Sequence, residues 1–142
     1  MKRTFQFGTA RATEMFSVPA NKPTRGKDAL FALGRLPAGQ MNKVESRFAE
    51  WLEFRRLKRE VAWWKFQGLR FILAPNTTLT PDFNVLMPDG QLHIIDTKGS
   101  RAVIQDDALA KMKIAAATFP LRFFFAFPGS RTTTSDWTIE EI

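Results

Sequence analysis

The stretch Thr80–Gly99, TPDFNVLMPDGQLHIIDTKG, constrains the fold of this chain more than any other. It contains two apolar runs that read as strands, and both carry charges that a fold does not bury without a use for them. Asp82 stands in the first run, between Leu79 and Phe83. Asp96 and Lys98 close the second, after Leu92, His93, Ile94 and Ile95. Pro88, Asp89 and Gly90 form a turn cluster between them, so the two runs are expected to pair as a hairpin. That pairing brings Asp82 close to Asp96. A buried carboxylate without a partner is costly, or it takes up a proton, so two converging carboxylates need a cation. The expected arrangement is two carboxylates and a lysine around a divalent metal.

What surrounds the hairpin follows from composition. With 142 residues, 14 Phe, 4 Trp and 44% apolar residues, the chain suits one globular domain with a real core. There is no cysteine, which excludes disulfides and thiolate metal sites and agrees with a reducing cytoplasm. No apolar run approaches the roughly 20 residues of a membrane span, and the N-terminus lacks a signal-type apolar stretch. The expected setting is therefore cytoplasmic, with no membrane partner. The net charge of +7 is unevenly placed: residues 1–44 carry eight Lys or Arg against Glu14 and Asp28, leaving 13 basic and 12 acidic groups beyond. A basic arm on a nearly neutral body suits a polyanionic partner such as nucleic acid, although such an arm can also serve solubility alone.

Along the chain, residues 1–26 show no periodicity and read as an extended basic arm, with 27–142 as a single domain. A short helix is expected over Ala29–Leu33, capped by Asp28 and ended by Gly34. The first strong helix runs from about Lys43 to Lys58, where Val44, Phe48, Trp51 and Leu52 mark one apolar face. Asn42 is its expected N-cap, with Glu45 at N3. Val61–Leu73 is aromatic and branched enough for strand, with Gly68 as a bulge or as a turn dividing it in two. The segment 74–78 reads as a loop. After Gly99 a second helix is expected over roughly Val103–Thr118, stopped by Pro120, and Leu121–Phe127 reads as a buried strand. The tail from Thr132 to Ile142 carries only a weak signal. The order is helix, three or four strands, helix, strand, which makes an α/β fold.

Phosphodiester hydrolysis needs a nucleophilic water, stabilisation of a charged transition state and help for the leaving oxygen. Carboxylate-held Mg²⁺ can supply these. Period-2 alternation puts Asp96 and Lys98 on one face of their strand with Thr97 facing away. Asp96 could then ligate a metal while the Lys98 ammonium orients the attacking water. Asp82 would arrive from the neighbouring strand, and the Thr97 carbonyl offers a further oxygen ligand. Pro81-Asp82 followed, fourteen residues beyond Asp82, by Asp96-Thr97-Lys98 resembles the PD-(D/E)xK nuclease signature. Trp64-Lys65, Pro75-Asn76-Thr77, Thr80-Pro81-Asp82-Phe83, the Pro-Asp-Gly turn and Asp96-Thr97-Lys98-Gly99 are similar to the phage endonuclease I family of Holliday-junction resolvases and to related small phage nucleases.

The resemblance covers about residues 41–127. It implies a restriction-endonuclease-like core with a mixed sheet of about four strands flanked by helices, in α-β-β-β-α-β order. It further implies a Mg²⁺- or Mn²⁺-dependent endodeoxyribonuclease of phage origin, acting in the host cytoplasm on branched DNA as a homodimer. The family's catalytic carboxylates fall on Asp82 and Asp96, its lysine on Lys98 and its first-helix acid on Glu45. Where that family's pattern usually has Glu, this chain has Asp96. Arg3, Arg11, Arg101, Lys111 and Lys113 are candidate phosphate contacts.

Each site residue also has an ordinary explanation. Asp82 can be a turn residue, Asp96 and Lys98 a solvated ion pair, and Glu45 the acidic half of a capping box. Glu50 and Glu53 compete with Glu45 on the same helix. His93 falls on the opposite face from Asp96 and is expected to pack in the core, as are Trp63, Trp64 and Phe123–Phe125. Two rival functions share this sequence: a nuclease acting on duplex ends, nicks or a restriction-like site, and a non-catalytic DNA-binding module on the same fold.

Overall fold

The computed structural model describes residues 39–129 and 136–142. The basic arm with Arg3 and Arg11, and the helix expected over Ala29–Leu33, lie outside these residues. The first described helix, α1, spans Lys43–Leu57. Strands β1 (Trp63–Phe66), β2 (Phe71–Ala74), β3 (Thr77–Leu79), β4 (Phe83–Leu86) and β5 (Leu92–Thr97) follow. A 3₁₀ turn over Arg101–Val103 leads into α2 (Asp106–Thr118), then β6 (Arg122–Pro128) and β7 (Trp137–Glu141).

The protein is α/β, with a mixed sheet of five strands in the order β1-β4-β5-β6-β7 and a separate two-stranded hairpin, β2-β3. Five strands replace the expected four because the weakly patterned tail becomes β7, antiparallel to β6. β1, β4 and β5 form an antiparallel meander, and β6 runs parallel to β5 after the α2 crossover. The long apolar run from Val61 divides at Gly68, and the segment expected to be a loop closes the inserted hairpin. Asn76 takes φ +58° at its turn, a left-handed backbone that asparagine tolerates better than most residues.

Alternation along the strands sorts the core into two layers. Phe83, Val85, Ile95, Phe124 and Ala126 face α1 and meet Phe48, Ala49 and Leu52. Ile94, Phe123, Phe125 and Phe127 face the other way, toward Met112 and Ala115 of α2 and Phe71 of the hairpin. His93 belongs to the first layer, its ring 4.7 Å from that of Phe124. Trp64 is half-buried and gives its indole N–H to Glu53, while Trp63, expected in the core, is 46% exposed near the free edge of the sheet.

The β4–β5 turn is built as its residues dictate. Met87 and Gln91 pair across it through the Met87 N–H and the Gln91 carbonyl, Asp89 accepts from the Gln91 N–H, and Gly90 supplies φ +89°. Antiparallel pairing then sets the start of β4 beside the end of β5. That is where the charged residues stand. No described helix is long and apolar enough to cross a membrane.

Candidate functional site

Four side chains gather around this end of the sheet, and different elements fix each one. Asp82 lies one residue before β4, not inside a strand as expected, behind the fully buried Pro81. Its main-chain carbonyl accepts from the Gln67 N–H at 2.7 Å, which ties it to the chain leaving β1. Its Oδ2 accepts from both the Thr97 N–H at 2.8 Å and the Thr97 hydroxyl at 2.7 Å. The expectation that Thr97 faces away from the site is therefore corrected. Asp82 precedes the regular pleat, so its carboxylate can reach round to the other side of β5.

Asp96, the penultimate residue of β5, is buried at 8% exposure. Its Oδ2 pairs with the Lys98 ammonium at 2.7 Å. Lys98 follows the last residue of β5, and its N–H donates to the Ala126 carbonyl of β6 at 2.9 Å. The lysine is thus held by a neighbouring strand and not carried on a free loop.

Glu45 does two things at once. Asn42 caps α1 through a complete capping box: the Glu45 N–H donates to Asn42 Oδ1 at 2.9 Å, and Glu45 Oε2 accepts from the Asn42 N–H at 2.7 Å. The same carboxylate is close enough to Asp96 and Lys98 to feel both charges. Its competitor Glu53 is occupied by Arg56 and Trp64.

The electrostatics follow from three carboxylates sharing one ammonium in a partly desolvated cleft. Burial, reinforced by the Asp96 and Glu45 charges, pushes the Asp82 carboxyl up to about 7 against the opposing hydrogen bonds from Thr97. Glu45 is also raised, chiefly by burial and secondarily by Asp96, against its bond from Asn42 and the Lys98 charge. Burial opposes the charge on Lys98, but Asp96, with help from Asp82 and Glu45, outweighs it and holds the ammonium above its ordinary range. The site is rich in negative charge and hard oxygen, which fits a small divalent cation. Asp82 Oδ1 and Asp96 Oδ1 accept no hydrogen bond among the described residues. No three His, Cys, Asp or Glu groups among these residues already form an ion cage. Asp82 and Asp96 are the carboxylates nearest each other, with Glu45 beside them, and Mg²⁺ is commonly held by one or two carboxylates alongside retained waters.

The outer candidates separate from this group. Arg101 forms an ion pair with Glu140 of β7 and lies 5.7 Å from the Phe127 ring. Lys113 lines a cavity with Arg101, Glu140 and Glu141, so carboxylates already share its surroundings. Lys111 is half-buried on α2.

One residue beside the site escaped sequence reasoning. Asn84 lies two positions beyond Asp82, fully buried, with neither its amide nitrogen nor its oxygen hydrogen-bonded among the described residues. Gly68 makes room for it, since a Cβ there would sit 2.7 Å from Asn84 Oδ1. An Asn amid Phe83, Val85 and Leu86 was the available signal. Comparison with family models, curated proteins and solved structures gives no match.

Proposed function

We propose that this chain is a divalent-metal-dependent DNA endonuclease that hydrolyses backbone phosphodiesters. The observation that carries the reading is the Asp96–Lys98 pair at the end of β5 beside the desolvated Asp82 at the start of β4. It is supported by the order of elements. With the inserted hairpin and β7 set aside, a helix, three antiparallel strands, a crossover helix and a parallel fourth strand follow the α-β-β-β-α-β order that the resemblance implies, which supports a restriction-endonuclease-like core.

In this reading Asp82 and Asp96 hold the cation, with Glu45 and the Thr97 carbonyl as further oxygen donors. The cation, Mg²⁺ or Mn²⁺, would supply Lewis-acid polarisation of the scissile phosphate. Lys98, kept protonated by its carboxylate neighbours, donates from Nζ to orient the attacking water or to stabilise charge on the phosphate oxygens. Its raised pKa suits it to that task and not to accepting a proton. Thr97 holds Asp82 through two hydrogen bonds, leaving the other carboxylate oxygen available. By resemblance the substrate is branched DNA such as a four-way junction, and two copies of the chain act together so that two strands are cut.

The test is cleavage of a synthetic four-way junction, a nicked duplex and a blunt duplex, each with Mg²⁺ and with EDTA. Asp82→Ala and Lys98→Ala are expected to lower the single-turnover rate on the preferred substrate by at least about 100-fold. Wild-type rates in either variant would remove the proposed site. DNA binding without cleavage, unchanged in EDTA, would favour a non-catalytic module.

A further inference from the structure

The β2–β3 hairpin contributes no side chain to the site, yet it grows directly out of it. On one side the Gln67 N–H is bonded to the Asp82 carbonyl, four residues before β2 begins. On the other, β3 ends at Leu79, three residues before Asp82. The hairpin's inner face is fixed: Phe71 packs on Phe119 and Phe123 with ring centroids 4.9 and 5.4 Å apart, and Leu73 and Leu79 join the same layer. Its outer face is open. Ile72 is 72% exposed, and Arg70, Ile72, Ala74, Pro75, Asn76 and Thr78 line a concavity of about 420 Å³.

We propose that this outer face grips duplex DNA next to the scissile phosphate. The inference rests on the nuclease reading and names the surface that reading lacks. Three features choose DNA as the occupant. No acidic residue occurs between Glu60 and Asp82, so nothing along the ribbon repels a phosphate, and Arg70 offers it a cation. A two-stranded ribbon is narrow enough to enter a DNA groove, and exposed Ile and Pro side chains are the type that wedge against base steps. Asn76 and Thr78 add hydrogen-bonding groups around the turn. Reach sets the register: the seven residue-to-residue steps from Pro75 to Asp82 span at most roughly 25 Å, which keeps the contact within about seven base pairs of the cut.

The experiment uses the full chain and fluorescent four-way-junction and duplex DNA in Ca²⁺, with affinity measured across a salt series. Arg70→Ala combined with Ile72→Ser is expected to weaken binding on the order of tenfold, and Arg70→Ala alone to reduce the log–log salt slope by about one. Arg70→Lys should restore the slope. The Mg²⁺ cleavage rate at saturating DNA should stay within about twofold of wild type, because neither side chain lies in the carboxylate site. Unchanged affinity and slope, with Asp82→Ala still inactive, would overturn this inference and leave the nuclease reading standing. A dimer converted to monomer at unchanged affinity would make the face a contact between copies instead. A wild-type chain that neither binds nor cuts DNA would overturn both.

Discussion

Between its ordinary value of 3.8 and its folded-state value of about 7, the Asp82 carboxyl keeps a proton in the folded protein that the unfolded chain has already released. The folded state binds more protons at this group across that interval, so the contribution of Asp82 to stability falls as pH rises through it. That contribution is greatest below 3.8 and levels off above about 7. Melting temperatures measured in EDTA from acid to mildly alkaline pH should therefore decline more steeply for wild type than for Asp82→Asn, which carries no charge to desolvate. Millimolar Mg²⁺ at pH 8 should raise the wild-type value and leave Asp82→Asn nearly unmoved, since a ligand stabilises only the state that binds it. Parallel pH profiles for the two proteins would remove the account of a buried carboxylate in need of a cation. At this scale the sequence was informative about which residues matter and less so about their orientation. Asp82, Asp96 and Lys98 were identifiable because charge in an apolar hairpin is expensive. The Thr97–Asp82 bonds were not, because strand parity says nothing about a side chain that stands one residue before the pleat begins.

At the level of elements, α1 is the case where stability and chemistry share one side chain. Asn42→Ala breaks the capping box and should cost about 1 kcal/mol while leaving the cleavage rate within a few-fold of wild type. Glu45→Gln keeps a side chain able to complete the box, so its melting temperature should stay close to wild type, but it removes a carboxylate from the cleft and should slow cleavage. Thermal melts paired with single-turnover rates separate the two. If Glu45→Gln melted early and cut normally, Glu45 would be a cap and nothing more. The helix itself was readable because Phe48, Trp51 and Leu52 repeat at helical spacing. The inserted hairpin was readable only in its first strand, as the second half of the apolar run divided at Gly68; β3, three residues long, carries too little pattern to distinguish from a loop. β7 escaped for a related reason, since Trp137–Glu141 becomes a strand by pairing with β6 and not by any strong alternation of its own.

Over the whole molecule, charge and chemistry are separated along the chain. Residues 1–44 hold most of the net +7, while the carboxylate site lies in the nearly neutral remainder. Deleting residues 1–26 should weaken DNA binding and flatten its salt dependence, while the cleavage rate at saturating DNA is retained. A salt slope unaltered by the deletion would assign the arm to some task other than phosphate contact. The α/β class and the helix–strand order could be read from the sequence because apolar periodicity is local. The fifth strand and the burial of Asn84 could not, because both depend on partners distant in the chain.

The hydrogen bond from the Lys98 N–H to Ala126 has a consequence for how the protein is made. Asp82, Asp96 and Lys98 all emerge from the ribosome before α2 and β6 do, and the meander that carries the carboxylates can pair from local contacts alone. The lysine's main chain is anchored only when β6 closes the parallel pairing, the slower and less local step. A truncated chain that ends before Ala126 therefore carries the site's acidic residues with its lysine still unanchored. Synthesis must pass the last strand of the crossover before the centre is complete.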